Sequence, residues 1–133
     1  MKKSNEQDIL KLNSIIKSLT NIKKVFEQNE ITNANILKRD EISQAACTQF
    51  ITNIQETKKK IQDETYNKLV EFNKVRLAGA RNIASHDYDS LDFGIIYDIC
   101  KRLIKDNILL EINKVLAELE KAETETTEGE KND

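Results

Sequence analysis

Apolar residues recur along this chain at steps of three and four positions, the spacing of one face of an α-helix. The first such stripe covers about residues 5–29 and contains Ile9, Leu12, Ile16, Leu19, Ile22 and Phe26. The mostly polar stretches 28–30 and 32–35 indicate a connection, followed by a short turn around Ile36 and Leu37. The pattern therefore predicts a long first helix that buries one face.

Three more helical stripes follow. Asp40 is a suitable N-cap for a second helix whose predicted inward positions are Ile42, Ala46, Phe50, Ile54, Thr57 and Ile61. A third helix is predicted over about 64–85, with Leu69, Val70, Phe72, Val75, Leu77, Ala78 and Ile83 as its apolar content. Asp89 or Ser90 is the expected cap of a fourth helix over about 92–119, which turns inward Phe93, Ile96, Ile99, Cys100, Leu103, Ile104, Ile108, Ile112, Val115 and Leu119.

These stripes predict an all-α fold, an up-and-down four-helix bundle on short connections. Strand-like alternation is absent from the sequence, which contains no proline and three glycines. The length of 133 residues suits one core rather than two, so we assign residues 1–119 to one helical-bundle domain. Residues 120–133 carry six acids and two lysines and almost no apolar side chains, which predicts a disordered acidic tail.

Composition excludes several classes of protein. No apolar run approaches the roughly 18–20 residues of a membrane span, and the N-terminus lacks the apolar core of a signal peptide, so we expect a cytoplasmic protein. The net charge is −2, and without the tail the chain has 19 basic and 17 acidic side chains. That balance is compatible with RNA but lacks the basic surface of a dedicated DNA-binding protein.

Neither a cofactor nor a metal is expected. Cys47 and Cys100 lie among apolar residues at helical spacing, which favours buried free thiols over a disulfide. One histidine and no cysteine pair at metal-binding spacing argue against a zinc site. The run of lysines at 58–60 is interpreted as a solvated helix end rather than an RNA-binding patch.

One segment near the predicted end of the third helix carries candidate chemistry. His86 is the only histidine of the chain, and Arg81, Asn82 and Tyr88 lie close to it in sequence. In a continuous helix Gly79, Asn82 and His86 share one stripe, so the Asn82 amide can orient the imidazole. Arg81 lies about 140° away from His86 on such a helix. Its long side chain must therefore bend around the helix to bring the guanidinium near the imidazole of His86.

This set suits cleavage of an RNA phosphodiester without a metal. A histidine can take the proton of a ribose 2′-hydroxyl or supply one to the leaving 5′-oxygen, and a guanidinium can hold the phosphate. One histidine cannot easily do both at once, and a two-fold dimer would bring a second copy. Taken singly, each residue has a plainer interpretation: His86 as a helix-dipole partner, Arg81 as a surface ion-pair residue, Tyr88 as packing and Asn82 as a cap. Their co-occurrence favours a site.

The arrangement Arg81-Asn82-x-x-x-His86-x-Tyr88 resembles the Arg-x4-His-x-Tyr signature of the HepT branch of the HEPN superfamily. Proteins of that branch are toxins paired with a minimal nucleotidyltransferase antitoxin. Residues 40–61 resemble the second core helix of the family, and residues 91–99 resemble the helix that opens after its tyrosine. The similarity thus extends over residues 5–119, although its specific part is short.

The resemblance implies a homodimer whose two motifs line one cleft, with Arg81, Asn82 and His86 as catalytic residues of a ribonuclease. It also implies that the antitoxin adenylylates Tyr88, which would add bulk and negative charge beside Arg81. The chain departs from many relatives in the apolar residues at 77, 78 and 80 and in its acidic tail, neither of which alters a motif residue.

Two alternatives remain open at the level of sequence. A catalytically inactive HEPN protein, serving as the substrate-binding or docking subunit of a nucleotidyltransferase, would share the fold and the dimer. RNA cleavage by the free protein separates it from a nuclease. In a generic helical interaction protein, changing His86 would affect local packing alone.

Overall fold

A computed structural model describes the backbone of residues 2–77 and 92–132, and the side chains of residues 5–77 and 92–125. Those ranges contain helices and no strand, so the predicted all-α class is confirmed. The helices are α1 (Lys2–Gln28), α2 (Ala34–Arg39), α3 (Glu41–Lys58), α4 (Asp63–Tyr66), α5 (Val70–Lys74), α6 (Phe93–Leu103) and α7 (Asp106–Asn132).

The core forms where α1 packs against α3 and α7, and where α2 packs against α6 and α3. α1 buries most of its predicted stripe, with Leu12, Leu19 and Ile22 at most 4% exposed and Phe26 8% exposed. The predicted Ile9 and Ile16 are only partly buried, and Ile15, which was not predicted, is 1% exposed. One continuous cluster of buried side chains joins these residues to those of the other helices, including Leu37, Ile51, Ile54, Leu69, Phe72, Ile96, Leu103 and Ile112. Burial of that surface is the main force that holds the short helices in place.

α3 begins at the predicted cap, but its first turns are rotated away from the predicted face, whereas Ile54 further along is buried as predicted. Asp40 accepts a hydrogen bond from the backbone N–H of Ser43 at 3.1 Å and another from the Ser43 hydroxyl at 2.8 Å. These hydrogen bonds hold the pKa of the Asp40 carboxyl below its usual value. The predicted inward position Ile42 is wrong, because that side chain is 84% exposed and Ser43, Cys47 and Ile51 are buried instead.

The predicted third helix is broken within its described part. α4 ends at Tyr66, and the amides of Lys68 and Leu69 bond three residues back, to Thr65 and Tyr66. α5 then starts afresh at Val70, whose side chain is 54% exposed rather than buried. The prediction of a single helix over 64–85 is therefore wrong for residues 64–77. Residues 78–85 lie outside the described residues.

The predicted fourth helix is two helices, α6 and α7, separated at residues 104–105. Its cap is Asp92, not Asp89 or Ser90, since Asp92 Oδ1 accepts from the N–H groups of Gly94 at 2.9 Å and Ile95 at 3.4 Å. The inward face is mostly confirmed, with the following predicted residues buried: Ile96, Ile99, Cys100, Leu103, Ile108, Ile112, Val115 and Leu119.

Among the described side chains, the last buried one is that of Leu119, which the sequence also predicts to face inward. The backbone of α7 follows a helical path to Asn132, and side chains 120–125 are exposed or partly buried. A helical end without an apolar face to dock it is marginal in water. The disordered tail over 120–133 stays a prediction from the sequence.

The two cysteines are free and buried, as predicted. A hydrogen bond between the Cys47 and Cys100 thiols lowers the pKa of Cys47 and, together with burial, raises the pKa of Cys100 well above its usual value. The contact joins α3 to α6 beneath the surface. Among the helices of the described residues, none is both long and apolar enough to span a membrane.

Candidate functional site

The sequence motif lies outside the described residues, since Arg81, Asn82, His86 and Tyr88 all fall within 78–91. What the structure describes is the pair of anchors on either side of it, Leu77 and Asp92.

The entry to the motif is tied to α3. Val75 and Leu77 are 6% and 8% exposed, so both side chains belong to the core. The Leu77 carbonyl accepts a hydrogen bond of 3.0 Å from Nε2 of Gln55, a residue in the last turns of α3. A backbone carbonyl held by a side chain from another helix has a defined position.

The exit from the motif is tied to the connection after α1. Asp92 caps α6, and Tyr97 lies on the buried side of that helix. The Tyr97 hydroxyl donates to the carbonyl of Thr32 at 3.1 Å, and its ring stacks on Phe26 with centroids 5.6 Å apart. Both ends of the motif segment are thus attached to the packed helices by hydrogen bonds and burial.

Glu111 of α7 holds the helix that leads towards the motif. Its carboxylate accepts from the backbone N–H groups of Glu71 at 2.8 Å and Phe72 at 3.0 Å. These N–H groups belong to the first turn of α5 and have no partner within that helix, so the carboxylate serves as a cap supplied from a distance. The sequence offers no local signal for this contact, because 39 and 40 positions separate the partners.

We expect Glu111→Ala to lower the free energy of unfolding by about 2 kcal/mol, since two hydrogen bonds to a carboxylate are lost together. Urea denaturation followed by circular dichroism measures the change. Glu118→Ala is the matched control on the same helix: Glu118 makes one exposed ion pair of 3.7 Å with Lys68, and such a pair contributes about 0–1 kcal/mol. Equal losses in the two variants would contradict the capping role of Glu111.

A cleft of about 540 Å³ opens beside the entry to the motif, between α3, α4 and the α5 region. We call it the α3–α5 cleft; its lining residues are Thr52, Gln55, Glu56, Lys58, Lys59, Tyr66, Asn73, Val75, Arg76 and Leu77. Lys58 is half-buried in its wall, with Nζ 4.9 Å from the ring centroid of Phe72 and 5.3 Å from that of Tyr66. Desolvation by burial lowers the pKa of this lysine.

In the described part of the chain, no group of three or more histidine, cysteine or acidic side chains is arranged to hold a metal ion. His86 is outside that part, so metal independence stays a prediction. The cleft was not anticipated from the sequence, where the lysines at 58–60 were interpreted as a solvated helix end. Lys58 and Lys59 line the cleft, whereas the Lys60 carbonyl accepts a hydrogen bond from Lys11 of α1 at 2.7 Å.

Comparison with protein families gives a match. The family model described as Ribonuclease HepT-like matches residues 12–115, which include all four motif residues and both of their anchors. The chain therefore belongs to the HepT-like ribonuclease family. Comparison with the curated proteins and with the solved structures found no match. Family membership assigns the chain to the ribonucleases and makes RNA its substrate class.

Proposed function

We propose that this protein is the toxin of a toxin–antitoxin system, a metal-independent endoribonuclease in which Arg81, Asn82 and His86 act together. The observation that carries the proposal is the family match over residues 12–115, inside which the Arg81-Asn82-x-x-x-His86-x-Tyr88 motif falls. The anchoring of Leu77 and Asp92 supports it, because a catalytic segment needs fixed ends.

The proposed reaction is transesterification within the RNA. His86 takes the proton of a ribose 2′-hydroxyl, the 2′-oxygen attacks the adjacent phosphorus, and the bond to the 5′-oxygen breaks as that oxygen receives a proton. Arg81 binds the phosphate and stabilises the charge that develops on it. Asn82 orients the imidazole of His86. The products are a 2′,3′-cyclic phosphate and a 5′-hydroxyl.

The proposal includes a homodimer. One histidine per chain supplies either the base or the acid, and a second copy of the motif across a two-fold axis supplies the other. Control of the toxin is assigned to a nucleotidyltransferase antitoxin that adenylylates Tyr88. The cytoplasmic location expected from the sequence belongs to the same proposal.

Purified protein should cleave single-stranded RNA in the presence of EDTA and leave 2′,3′-cyclic phosphate ends, because the motif supplies acid–base groups and a guanidinium but no cluster of metal-binding carboxylates. Mass spectrometry of the fragments, with and without EDTA, tests this result. Activity that is lost on chelation and restored by magnesium would contradict the mechanism. Absence of cleavage by the free protein would favour the docking-subunit alternative.

A further inference from the structure

We infer that the α3–α5 cleft binds the phosphodiester backbone of the RNA substrate next to the site of cleavage, with Lys59 and Arg76 as its phosphate contacts. The inference rests on the proposed function, because it assigns the path of the substrate outside the motif. Four observations carry it: the charge of the cleft, its position, the environment of Lys58 and the exposed ring of Tyr66.

The charge of the cleft is positive. Three cations, Lys58, Lys59 and Arg76, line it with one acid, Glu56. Within residues 5–77 and 92–125, none of the three cations has a carboxylate oxygen within the 4.0 Å of an ion pair. Cations that are not neutralised by the protein itself attract a polyanion, and their release of counterions on binding is the main source of affinity for nucleic acids.

The position of the cleft places it beside the motif. Arg76 and Leu77 line the cleft, and Arg81 follows Leu77 by four residues. Four residues of chain span at most about 14 Å even when fully extended. An RNA strand whose scissile phosphate meets Arg81 therefore has its neighbouring phosphates within reach of long side chains at positions 59 and 76. The Gln55 hydrogen bond to the Leu77 carbonyl fixes this edge of the cleft.

Lys58 makes the cleft favourable for an anion. Its ammonium is half-buried over the rings of Phe72 and Tyr66, and burial lowers its pKa. A phosphate that enters the cleft would replace part of the lost solvation of this charge and strengthen the protonated form. Lys59 and Arg76 are exposed, so both can reach the ligand without leaving a packed position.

The wall also offers groups that suit a nucleotide beyond its phosphate. The Tyr66 side chain is 37% exposed and presents an aromatic surface, on which nucleobases stack. The Tyr66 carbonyl accepts a hydrogen bond of 2.8 Å from Nδ2 of Asn73, which holds this part of the wall in place.

The test uses full-length His86→Ala protein, in which bound RNA should stay intact, and a fluorescent single-stranded oligonucleotide. The double variant Lys59→Ala with Arg76→Ala is compared with Lys17→Ala with Lys24→Ala, which removes the same charge from exposed positions of α1. Fluorescence anisotropy over a range of salt concentrations measures affinity. For the cleft variant we expect binding to be roughly tenfold weaker. The negative slope of log K against log salt concentration should also become shallower by about 1.4, because two phosphate contacts are lost and each contributes about 0.7 to its magnitude.

The control pair should change the affinity less than twofold and leave the slope as it was. Charge-preserving exchanges, Lys59→Arg and Arg76→Lys, should keep most of the binding, which shows that the loss comes from charge rather than folding. In the otherwise wild-type protein, Lys59→Ala with Arg76→Ala should raise KM more than it lowers kcat, because the cleft contacts lie outside the reacting atoms.

The outcomes separate this inference from the proposed function. If wild-type protein cleaves RNA but the cleft variant has the slope of the control, the cleft inference is wrong and the nuclease assignment stands. If RNA is bound through Lys59 and Arg76 but never cut, the cleft stands and the reaction is wrong. If the cleft variant keeps RNA binding and loses the nucleotidyltransferase partner instead, the cleft docks protein and the inference is overturned.

Discussion

His86→Ala should abolish RNA cleavage and toxicity while leaving the helical fold intact. The imidazole is the one group of the motif with a pKa suited to moving protons near neutral pH, and general acid–base catalysis contributes about 10²–10⁴-fold to such reactions. We expect Arg81→Ala to have an effect of similar size, because the phosphate loses its bidentate partner. A growth assay and a cleavage assay measure both variants, with circular dichroism as the control for folding.

Conservative variants sharpen this test. Arg81→Lys should retain a part of the activity, since a lysine keeps the charge but cannot bind a phosphate with two parallel hydrogen bonds. Light scattering on the wild type and on each variant should give about twice the chain mass of 15.3 kDa, as expected if two motifs form one site. Undiminished toxicity of His86→Ala would rule out the proposed reaction, and a strict monomer would leave it without its second histidine.

The second large effect is expected at Tyr88. Incubation with the partner nucleotidyltransferase and ATP should add the mass of AMP to each modified chain and remove RNase activity, because the added phosphate brings negative charge and bulk beside Arg81. Tyr88→Phe should be unmodifiable and should keep some cleavage, since the phenol takes no part in the proposed proton transfers. Intact-mass measurement followed by peptide mapping locates the group.

The structure supplies the controls for this experiment. The chain has three tyrosines. Tyr97 is 8% exposed and its hydroxyl is bonded to the Thr32 carbonyl, so we expect it to be unreactive. Tyr66 is the meaningful competitor, because 37% of it is exposed in the cleft wall. Tyr66→Phe should therefore still accept AMP. Modification that maps to Tyr66, or silencing of Tyr88→Phe to the same extent as the wild type, would contradict the regulatory proposal.

Several features of this protein were determined by its sequence alone. The apolar period predicts an all-helical chain and most of the buried residues of α1, α6 and α7, because a side chain repeating every three or four positions can face only one side of a helix. Asp40 is recognisable as a cap, since a short carboxylate before a helix accepts from its first free N–H groups. The free cysteines and the family motif are likewise visible without coordinates, and the family match bears out the resemblance.

Tertiary structure decided where those stripes break and how each helix is rotated. The interruption at 67–69 carries no glycine or proline; the new helix after it is capped by Glu111, which reaches it from α7. α3 turns Ser43 and Cys47 inward and leaves Ile42 in solvent. The α3–α5 cleft likewise draws its residues from separate elements. Local periodicity reports the preference of each segment, whereas breaks, rotations and clefts depend on partners distant in sequence, whose positions only the packed chain defines.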